Sequence, residues 1–398
     1  MHSQSTSRAT SRHRGRMAAL PPPLAGQRGH RVAPQLLGAW RHLAWGCAAL
    51  ISASALLAHA VAPQQATAGA SALDPVQRSA QLSRLATRSV LVGAARAGAR
   101  LVAVGERGHV VISDDNGRRW KQVPVPVAVT LTAVQFVDER NGWAVGHGGV
   151  ILYSDDAGQS WKKQLDGLQA NQAMQEAARA AGNAAWQQRA QQFDKDGADK
   201  PFLAVHFSDA RHGLAVGAYG LAFSTDDGGA RWTPVFDAAP AGDERHLYAI
   251  HHTPLATYVA GEQGMLLRKS AGQAQFVKLE TPFRSTVFDL RSSARGSLIA
   301  AGLGGKLYRS DDAGEQWSEV TLPAKAALTA SALVKEGLVV ANEAGQFLLS
   351  RDEGRSFQAL EMPQPFPVSG LAIAADGQWV MVGPRGVLAI AAPQLYKN

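Results

Sequence analysis

One short motif returns along the chain at an almost constant spacing. Gly-x-x-Gly follows a β-rich segment six times, and a seventh copy has Asn342 in the first position and Gly345 in the second. Successive first positions are 41, 71, 44, 41, 40 and 41 residues apart. A repeat of about 40 to 45 residues built from short strands is typical of a β-propeller with one four-stranded blade per repeat. The spacing therefore predicts an all-β, seven-bladed β-propeller. The six glycine pairs are Gly105/Gly108, Gly146/Gly149, Gly217/Gly220, Gly261/Gly264, Gly302/Gly305 and Gly383/Gly386.

A second motif, Ser/Thr-x-Asp-x-Gly-x-x-Trp, begins five residues after the second glycine of most repeats. The carboxylate can accept backbone N–H bonds within its own turn, the glycine supplies a left-handed position, and the aromatic residue anchors the next strand. This motif is the Asp box, and it predicts a rigid hairpin between the third and fourth strands of a blade. The intact copies are Ser113, Asp115, Gly117, Trp120; Ser154, Asp156, Gly158, Trp161; Thr225, Asp227, Gly229, Trp232; and Ser310, Asp312, Gly314, Trp317. A weakened copy has Ser350, Asp352, Gly354 and Phe357, and the fourth repeat retains only the aromatic Phe276.

The strands can be placed within the repeats. In the second repeat the pattern predicts strands over 131–136, 143–145, 150–154 and 161–164. The last repeat supplies strands at 370–374, 379–382 and 387–391, and no Asp box follows them. We expect a propeller domain over residues 75–398, in which the segment from Val76 to Leu85 provides the missing fourth strand and closes the ring.

The 71-residue interval predicts a helical insertion at about residues 167–199, between blades 2 and 3. Apolar residues follow helical spacing along it, and Gly182-Asn183 is expected to divide it into two helices. The insertion is either a partner-binding arm or a flap packed on its own blade. As an arm, it could be replaced over residues 170–196 by a short Gly-Ser loop with little change in melting temperature. The candidate partner-binding residues are Met174, Trp186 and Phe193.

Residues 1–60 are predicted to be a signal segment. Arg41 precedes a short apolar run that ends in Ala58-His59-Ala60, which is the layout of a secretory signal cleaved near Ala60. A membrane anchor is the alternative, although the run is at the lower limit of a membrane span. Cleavage would remove the single cysteine, Cys47, and leave residues 61–74 as a flexible tether. We therefore expect a periplasmic protein without disulfides.

The positive charge is concentrated at the N-terminus. The net charge is +8, but seven arginines and no acidic residue precede position 61. The remainder is nearly neutral and has no basic stripe interleaved with aromatic residues. This distribution argues against a nucleic-acid-binding protein.

The phased Gly-x-x-Gly and Asp-box repeats, the seven-fold count and the export signal together resemble the photosystem II stability and assembly factor family and its bacterial relatives outside photosynthesis. The resemblance covers roughly residues 75 to 392. It implies a lumenal or periplasmic propeller that assists assembly of membrane protein complexes; relatives outside photosynthesis are associated with envelope functions, some beside large exporter proteins. We therefore expect a monomeric, non-catalytic scaffold without a cofactor, whose partner is an envelope or inner-membrane complex such as an exporter. The helical insertion departs from the photosynthetic pattern, which argues against a photosystem partner.

Asp boxes also occur in sialidases and other glycoside hydrolases, so a glycan-binding or glycoside-hydrolase-like propeller is the alternative function. A sialidase needs an arginine cluster, a Tyr nucleophile with a Glu partner, and an acid/base Asp; the Arg-Ile-Pro signature before the first box is absent. Asp138 and Asp209 are interpreted as turn caps, and three glutamates at equivalent repeat positions favour a structural role. The acidic candidates outside the boxes are Glu106, Asp138, Glu139, Asp209, Glu262, Asp289 and Glu343.

No metal site is predicted. His251-His252 and the pair His206 and His212 lack a third ligand or a ligand-like helical spacing. The acidic residues of the boxes lack the spaced oxygen ligands and the closing Glu of an EF-hand.

The geometry of a propeller separates the two motifs. Turns between second and third strands share one face with the connections between blades, whereas the Asp-box hairpins lie on the opposite face. The two middle positions of the Gly-x-x-Gly turns are therefore expected to ring the mouth of the central channel, where they either bind a partner or are merely exposed turn residues. The candidate binding residues are Glu106, Arg107, His147, Tyr219, Glu262, Gln263, Glu343 and Arg385.

Overall fold

The computed structural model describes residues 74–238 and 243–393, and in it the chain forms seven consecutive antiparallel sheets. The seven-bladed propeller predicted from the repeats is confirmed. The expected signal segment and all of the expected tether except Asp74 lie outside the described residues. Within the described ranges, no helix has the length and hydropathy that a membrane span requires.

The strands of each blade follow one another in chain order from the inner strand outward. Blade 1 contains β1 (Leu91–Ala97), β2 (Arg100–Gly105), β3 (Val110–Ser113) and β4 (Lys121–Val123). Blade 2 contains β5 (Leu131–Phe136), β6 (Gly142–Gly146), β7 (Ile151–Ser154) and β8 (Lys162–Leu165). Blade 3 contains β9 (Phe202–Phe207), β10 (Gly213–Gly217), β11 (Ala222–Thr225) and β12 (Thr233–Pro234). The second blade thus has its four strands within a residue or two of their predicted positions.

The remaining blades continue the same pattern. Blade 4 contains β13 (Leu247–Thr253), β14 (Ala256–Gly261), β15 (Leu266–Ser270) and β16 (Val277–Lys278). Blade 5 contains β17 (Val287–Ser292), β18 (Leu298–Gly302), β19 (Leu307–Ser310) and β20 (Ser318–Glu319). Blade 6 contains β21 (Leu328–Val334), β22 (Gly337–Asn342), β23 (Phe347–Ser350) and β24 (Gln358–Leu360). Blade 7 contains β25 (Gly370–Ile373), β26 (Trp379–Gly383) and β27 (Gly386–Ile390).

The predicted closure of the ring is wrong. The segment from Val76 to Leu85 does not pair with blade 7: the Ala80 N–H donates to the Val125 carbonyl at 2.9 Å, and Gln122 bonds the backbone of Gln81 and Ser83. These partners lie on β4 and on the connection from blade 1 to blade 2, so the segment is held away from the edge of β27. The ring closes instead through apolar packing of Leu91, Ala103 and Val111 of blade 1 against Val382 of blade 7.

The Gly-x-x-Gly turns are wedged against the connections that precede and follow their blades. A Cβ on Gly146 would lie 2.2 Å from the carbonyl oxygen of Thr130, where blade 2 begins. Gly108 has φ +71, and a Cβ on it would lie 2.1 Å from the carbonyl oxygen of Val127, in the connection from blade 1 to blade 2. Each turn therefore lies on the face that carries the inter-blade connections, which we call the turn face.

The Asp boxes lie on the opposite face, called here the box face, and repeat the same hydrogen bonds. In blade 2 the Ser154 oxygen accepts the Gly158 N–H at 2.8 Å, and its hydroxyl donates to Asp156 at 2.9 Å. Asp156 in turn accepts the Ser160 N–H at 2.9 Å, and the Trp161 indole donates to the Gly158 carbonyl at 3.1 Å. The serine or threonine makes equivalent bonds in blades 1, 3, 5 and 6. Box residues are thus committed to hairpin geometry, as the motif predicts.

The insertion forms two helices, α1 (Gly167–Ala181) and α2 (Ala184–Lys195). Asp166 and Gln169 form a reciprocal capping box at the start of α1. Gly182, with φ 63, ends α1, and the Asn183 side chain accepts the Trp186 N–H to begin α2. The predicted division at Gly182-Asn183 is confirmed. A hydrogen bond of 3.2 Å from the Gly148 N–H to the Asp199 carbonyl places the insertion on the turn face.

Candidate functional site

The insertion is a flap packed on its own blades. Met174 and Phe193 are only 3% and 5% exposed, and they belong to one apolar core with Phe202 and Phe223 of blade 3. Trp186 stacks on Phe236, with ring centroids 4.6 Å apart. The side chains of Met174 and Phe193 therefore hold the insertion in place and are not presented to a partner.

This packing corrects one expectation from the sequence. Replacing residues 170–196 by a Gly-Ser loop would strip Met174, Ala178 and Phe193 from the core of blades 2 and 3. The melting temperature is therefore expected to fall, because the removed side chains leave apolar surface exposed or a cavity. What the insertion offers to solvent is the other side of its helices, including Gln188 and Gln192 of α2.

Helix α2 and the turn of blade 3 enclose a cleft of about 470 Å³, which we call the insertion cleft. The Arg189 guanidinium donates to the carbonyls of Tyr219 and Gly220, at 3.1 and 3.0 Å, and so fixes the helix to the turn. The structure thus brings together Tyr219 and the insertion, two features that were predicted separately. The lining comprises Ala185, Gln188, Arg189, Gln192, Phe193, Asp196, Tyr219, Asp243 and Glu244.

An aromatic row leads from this cleft across the turn face. Tyr219 is 43% exposed and meets His246 edge to face, with centroids 4.8 Å apart. His246 lies 6.2 Å from Tyr248, and Tyr248 lies 5.2 Å from Phe288. The row links the turn of blade 3 to the inner strands of blades 4 and 5, and all four rings are at least partly exposed.

Tyr248 and Phe288 were missed by sequence reasoning, although they occupy equivalent repeat positions. In blades 1 to 6 the pairing register shifts around the second residue of the inner strand, which in blades 4 and 5 is Tyr248 and Phe288. The residue before each bulge pairs with the first position of the turn, as Leu247 does with Gly261. A bulge redirects a side chain, and here it does so next to the Gly-x-x-Gly turn. The signal available in the sequence was this pair of aromatic residues, which are 40 positions, or about one repeat, apart.

Three glutamates of the predicted ring make the same structural bond. The carboxylate of each accepts a backbone N–H from the residue 16 positions earlier: Val90 for Glu106 at 3.1 Å, His246 for Glu262 at 2.8 Å, and Ala327 for Glu343 at 3.2 Å. The backbone N–H of each glutamate also donates to the carbonyl of that same residue. These contacts agree with the structural interpretation of the three glutamates, which hold the start of the blade against its turn.

The other ring residues point their side chains to solvent. His147, Arg107, Gln263 and Arg385 are exposed on the turn face. Arg107, Tyr219 and Gln263 have left-handed backbones with φ of 55, 55 and 52. The equivalent positions of blades 2 and 5 carry the glycines Gly148 and Gly304. The side chains at these positions therefore vary while the backbone does not.

Asp138 and Asp209, two of the four acidic candidates outside the ring, cap turns. Asp138 accepts the N–H groups of Arg140 and Asn141 at 2.8 and 2.6 Å. Asp209 likewise accepts the N–H groups of Arg211 and His212. Hydrogen bonding, with the largest contribution from the Arg211 N–H, lowers the pKa of Asp209 to about 2. A carboxyl group with this pKa is ionised at neutral pH, so Asp209 is unsuited to be a general acid. In the described parts of the chain, no three His, Cys, Asp or Glu side chains are grouped to hold a metal ion.

The inner strands also carry a group of histidines, of which His206 and His251 are half-buried and His252 is exposed. His206 stacks on His252 with centroids 5.7 Å apart, and its Nδ1 lies 3.3 Å from the Gln135 amide nitrogen. The Gln135 amide is oriented by the Phe207 backbone: its oxygen accepts the Phe207 N–H at 2.6 Å, and its nitrogen donates to the Phe207 carbonyl at 3.1 Å. Its second N–H therefore donates to His206 Nδ1, which must be unprotonated. His251 lies 2.7 Å from the Ser292 hydroxyl.

These features define the protein as a seven-bladed Asp-box propeller with an elaborated turn face. The family model described as Photosynthesis system II assembly factor YCF48 matches residues 112–187 and 178–390, and the chain belongs to this family. The chain is also similar to the Photosystem II assembly lipoprotein Ycf48 of Synechococcus sp. (strain CC9902), with 28% identity over 117 residues. That match covers 29% of this chain and 35% of the relative. The family resemblance inferred from the repeats is confirmed.

Solved structures share the fold at low identity. The structure described as YCF48 bound to D1 peptide has a TM-score of 0.58 and 17% identity, and the match covers 79% of this chain and 96% of that one. YCF48 from Cyanidioschyzon merolae has a TM-score of 0.57 and 14% identity, with 78% and 98% covered. The WD40 β-propeller domain of Doa1 has a TM-score of 0.54 and 11% identity, with 79% and 95% covered. The fold is therefore common to propellers inside and outside the family.

Proposed function

We propose that this protein is a non-catalytic scaffold that binds a membrane protein complex of the cell envelope through its turn face and assists its assembly. Membership of an assembly-factor family supports this proposal, and so does the description of one similar propeller as bound to a D1 peptide. The partner is an envelope or inner-membrane complex, because the proposal places the protein in the periplasm. N-terminal sequencing of exported protein tests the location: a start near Val61 is expected, and retention of the predicted signal segment before Val61 would argue against it.

The observation that carries the proposal is the contrast between the two faces. The box face repeats one set of hydrogen bonds in five blades, so its motif residues are occupied by structure. On the turn face the backbone repeats, while the exposed side chains differ from blade to blade. Tyr219 lines the insertion cleft and is also the first ring of the aromatic row. Apolar, aromatic and hydrogen-bonding surface therefore meet in one place. Such a surface on a rigid frame suits recognition of a protein.

The proposal predicts that Tyr219→Gly combined with Arg107→Gly lowers capture of the partner about tenfold or more. Glycine is the residue that blades 2 and 5 already carry at this left-handed position, so the melting temperature should stay the same or rise slightly. The measurement is affinity capture from detergent-solubilised envelope membranes, with the co-purifying protein identified and quantified by mass spectrometry.

The matched control is Asn116→Gly. Asn116 also has a left-handed backbone, with φ 60, but it lies in the first Asp box on the opposite face. This variant should capture the same protein as the wild type. Unchanged capture by the Tyr219 and Arg107 variant, together with loss in the Asn116 variant, would show that the binding face has been assigned wrongly.

A further inference from the structure

The outer edge of blade 7 is open. In blades 1 to 6 a fourth strand covers the third strand. The third strand is buried at every residue in blades 1, 5 and 6, at all but one in blades 2 and 3, and at its first two residues in blade 4. In blade 7 the third strand is β27, and all four residues from Val387 to Ile390 are partly exposed. No described residue pairs with the outer edge of β27. The fourth-strand position of this blade is therefore vacant in the described chain.

A groove of about 780 Å³ runs along this edge. Trp120 of blade 1 lines one side and Phe366, which precedes blade 7, lines the other, with Val387 to Ala389 between them. The Val382 carbonyl accepts the Ser369 N–H at 2.8 Å, so the backbone of Val382 faces β25. Its partner across the ladder, Val387, must then direct its N–H and C=O outward, and Ala389 does the same. The groove thus contains backbone groups ready to pair with another strand.

The charge of the groove is positive. Arg385 and Arg88 lie at its turn-face end, where Thr87 contacts Gly386, and Arg118 lies at the other end beside the contact between Gly117 and Ala389. The lining includes no acidic residue. The acidic neighbour Asp376 lies 4.0 Å from Arg118, in an ion pair whose arginine is largely exposed. Five residues of β27 span about 16 Å, so one short strand would place its two ends near these arginines.

We propose that the open edge of blade 7 binds an extended acidic segment of a partner protein, which adds a fourth strand to the blade. An acidic segment is the occupant that complements the positive charge of the groove. Residues 61–73, which the proposed mature chain retains, have no charged side chain, and residues 394–398 contain Lys397; neither segment supplies the carboxylate side chains that these arginines favour. A second copy pairing edge to edge would bring the same arginines together. The groove shares Arg385 with the turn face, but its lining does not include Tyr219 or Arg107, the residues that the test of the proposed function changes, so the two proposals can fail separately.

The test uses the full chain and a synthetic peptide, acetyl-Glu-Glu-Thr-Val-Thr-Val-Glu-Glu-amide. Hydrogen exchange followed by mass spectrometry should show fast exchange at Val387 and Ala389 in the free protein, slowed about tenfold or more by saturating peptide. Fluorescence anisotropy of the labelled peptide should give saturable binding. The same peptide N-methylated at both threonines and both valines should not bind, because neither edge of its central strand can then donate hydrogen bonds.

A charge swap makes the assignment specific. Arg118→Glu with Arg385→Glu should weaken binding of the acidic peptide about tenfold or more and should favour a peptide with lysines in place of the glutamates. Equal binding of the N-methylated peptide, or no effect of the charge swap, would overturn the proposal. Slow exchange at Val387 and Ala389 in the free full chain would also overturn it, because the edge would then be covered by the chain itself or by a second copy.

Discussion

Acidification from about pH 7.5 to about pH 5 is expected to lower the free energy of unfolding by about 4 kcal/mol through two half-buried histidines. Burial lowers the pKa of His206 to about 4, and the neighbouring His252 and His251 add to the shift. Burial also lowers the pKa of His251 to about 4, with contributions from Arg291 and His252. Both groups must remain neutral for the inner strands of blades 3, 4 and 5 to pack as they do.

The sign follows from the lowered pKa values. Above the unfolded-state pKa of 6.5 both states are neutral and the stability is fully present. As the pH falls from 6.5 towards 4, the unfolded chain takes up protons that the folded protein does not, so stability is lost. Each histidine contributes about 2 kcal/mol of this loss by pH 5. Carboxylates such as Asp209, with a pKa of about 2, lose their contribution only at lower pH.

Chemical denaturation at a series of pH values measures the effect. The double variant His206→Gln, His251→Gln should lose little stability between about pH 7.5 and pH 5. The smaller loss that remains comes from His109, whose pKa is also lowered by burial. The control His147→Gln changes a histidine exposed on the turn face and should keep the wild-type dependence. If the double variant loses as much stability as the wild type, these two histidines are not the cause.

Gly146→Ala is expected to lower the free energy of unfolding by more than about 3 kcal/mol. The added Cβ would lie 2.2 Å from the Thr130 carbonyl oxygen and 2.9 Å from the Leu131 Cα. Both atoms belong to the backbone that leads into the inner strand of blade 2. They can move only if the strand moves away from the turn, which would also strain the 2.9 Å bond from the His147 N–H to Thr130.

Gly182→Ala is the matched control for this steric effect. Gly182 has a left-handed φ of 63, but a Cβ there would meet no atom within 4 Å. It should cost only about 1 kcal/mol, from the left-handed conformation. Denaturation curves for the two variants separate the causes: equal losses would show that the close approach to Thr130 can relax, and that the first glycine of the motif is not required for steric reasons.

The features predicted correctly are those that one hairpin or turn determines by itself. The Asp box forms its bonds within eight residues, from Ser154 to Trp161, so its residue types reveal its geometry. The insertion was also recognisable, because it interrupts an otherwise regular spacing and carries its own caps at Asp166 and Asn183. Local chemistry of this kind does not depend on the rest of the chain.

The features that were missed depend on contacts between distant segments. The segment from Val76 to Leu85 has no clear alternation, and it is held by hydrogen bonds to distant residues, including two to the Gln122 side chain and one to the Val125 carbonyl. Helical spacing indicated that Met174 and Phe193 lie on the apolar sides of the two helices. It did not indicate whether those sides face a partner or blades 2 and 3. The row through His246, Tyr248 and Phe288 exists because bulges in separate blades bring the rings together.

Site-specific photo-crosslinking in cells tests most directly the claim that the turn face contacts a membrane protein. A photoreactive phenylalanine analogue would replace Tyr219 on the turn face in one full-length variant and Asn116 on the box face in another. We expect an adduct with an envelope membrane protein from position 219 and none from position 116. An adduct from position 116 with none from position 219 would contradict the central claim.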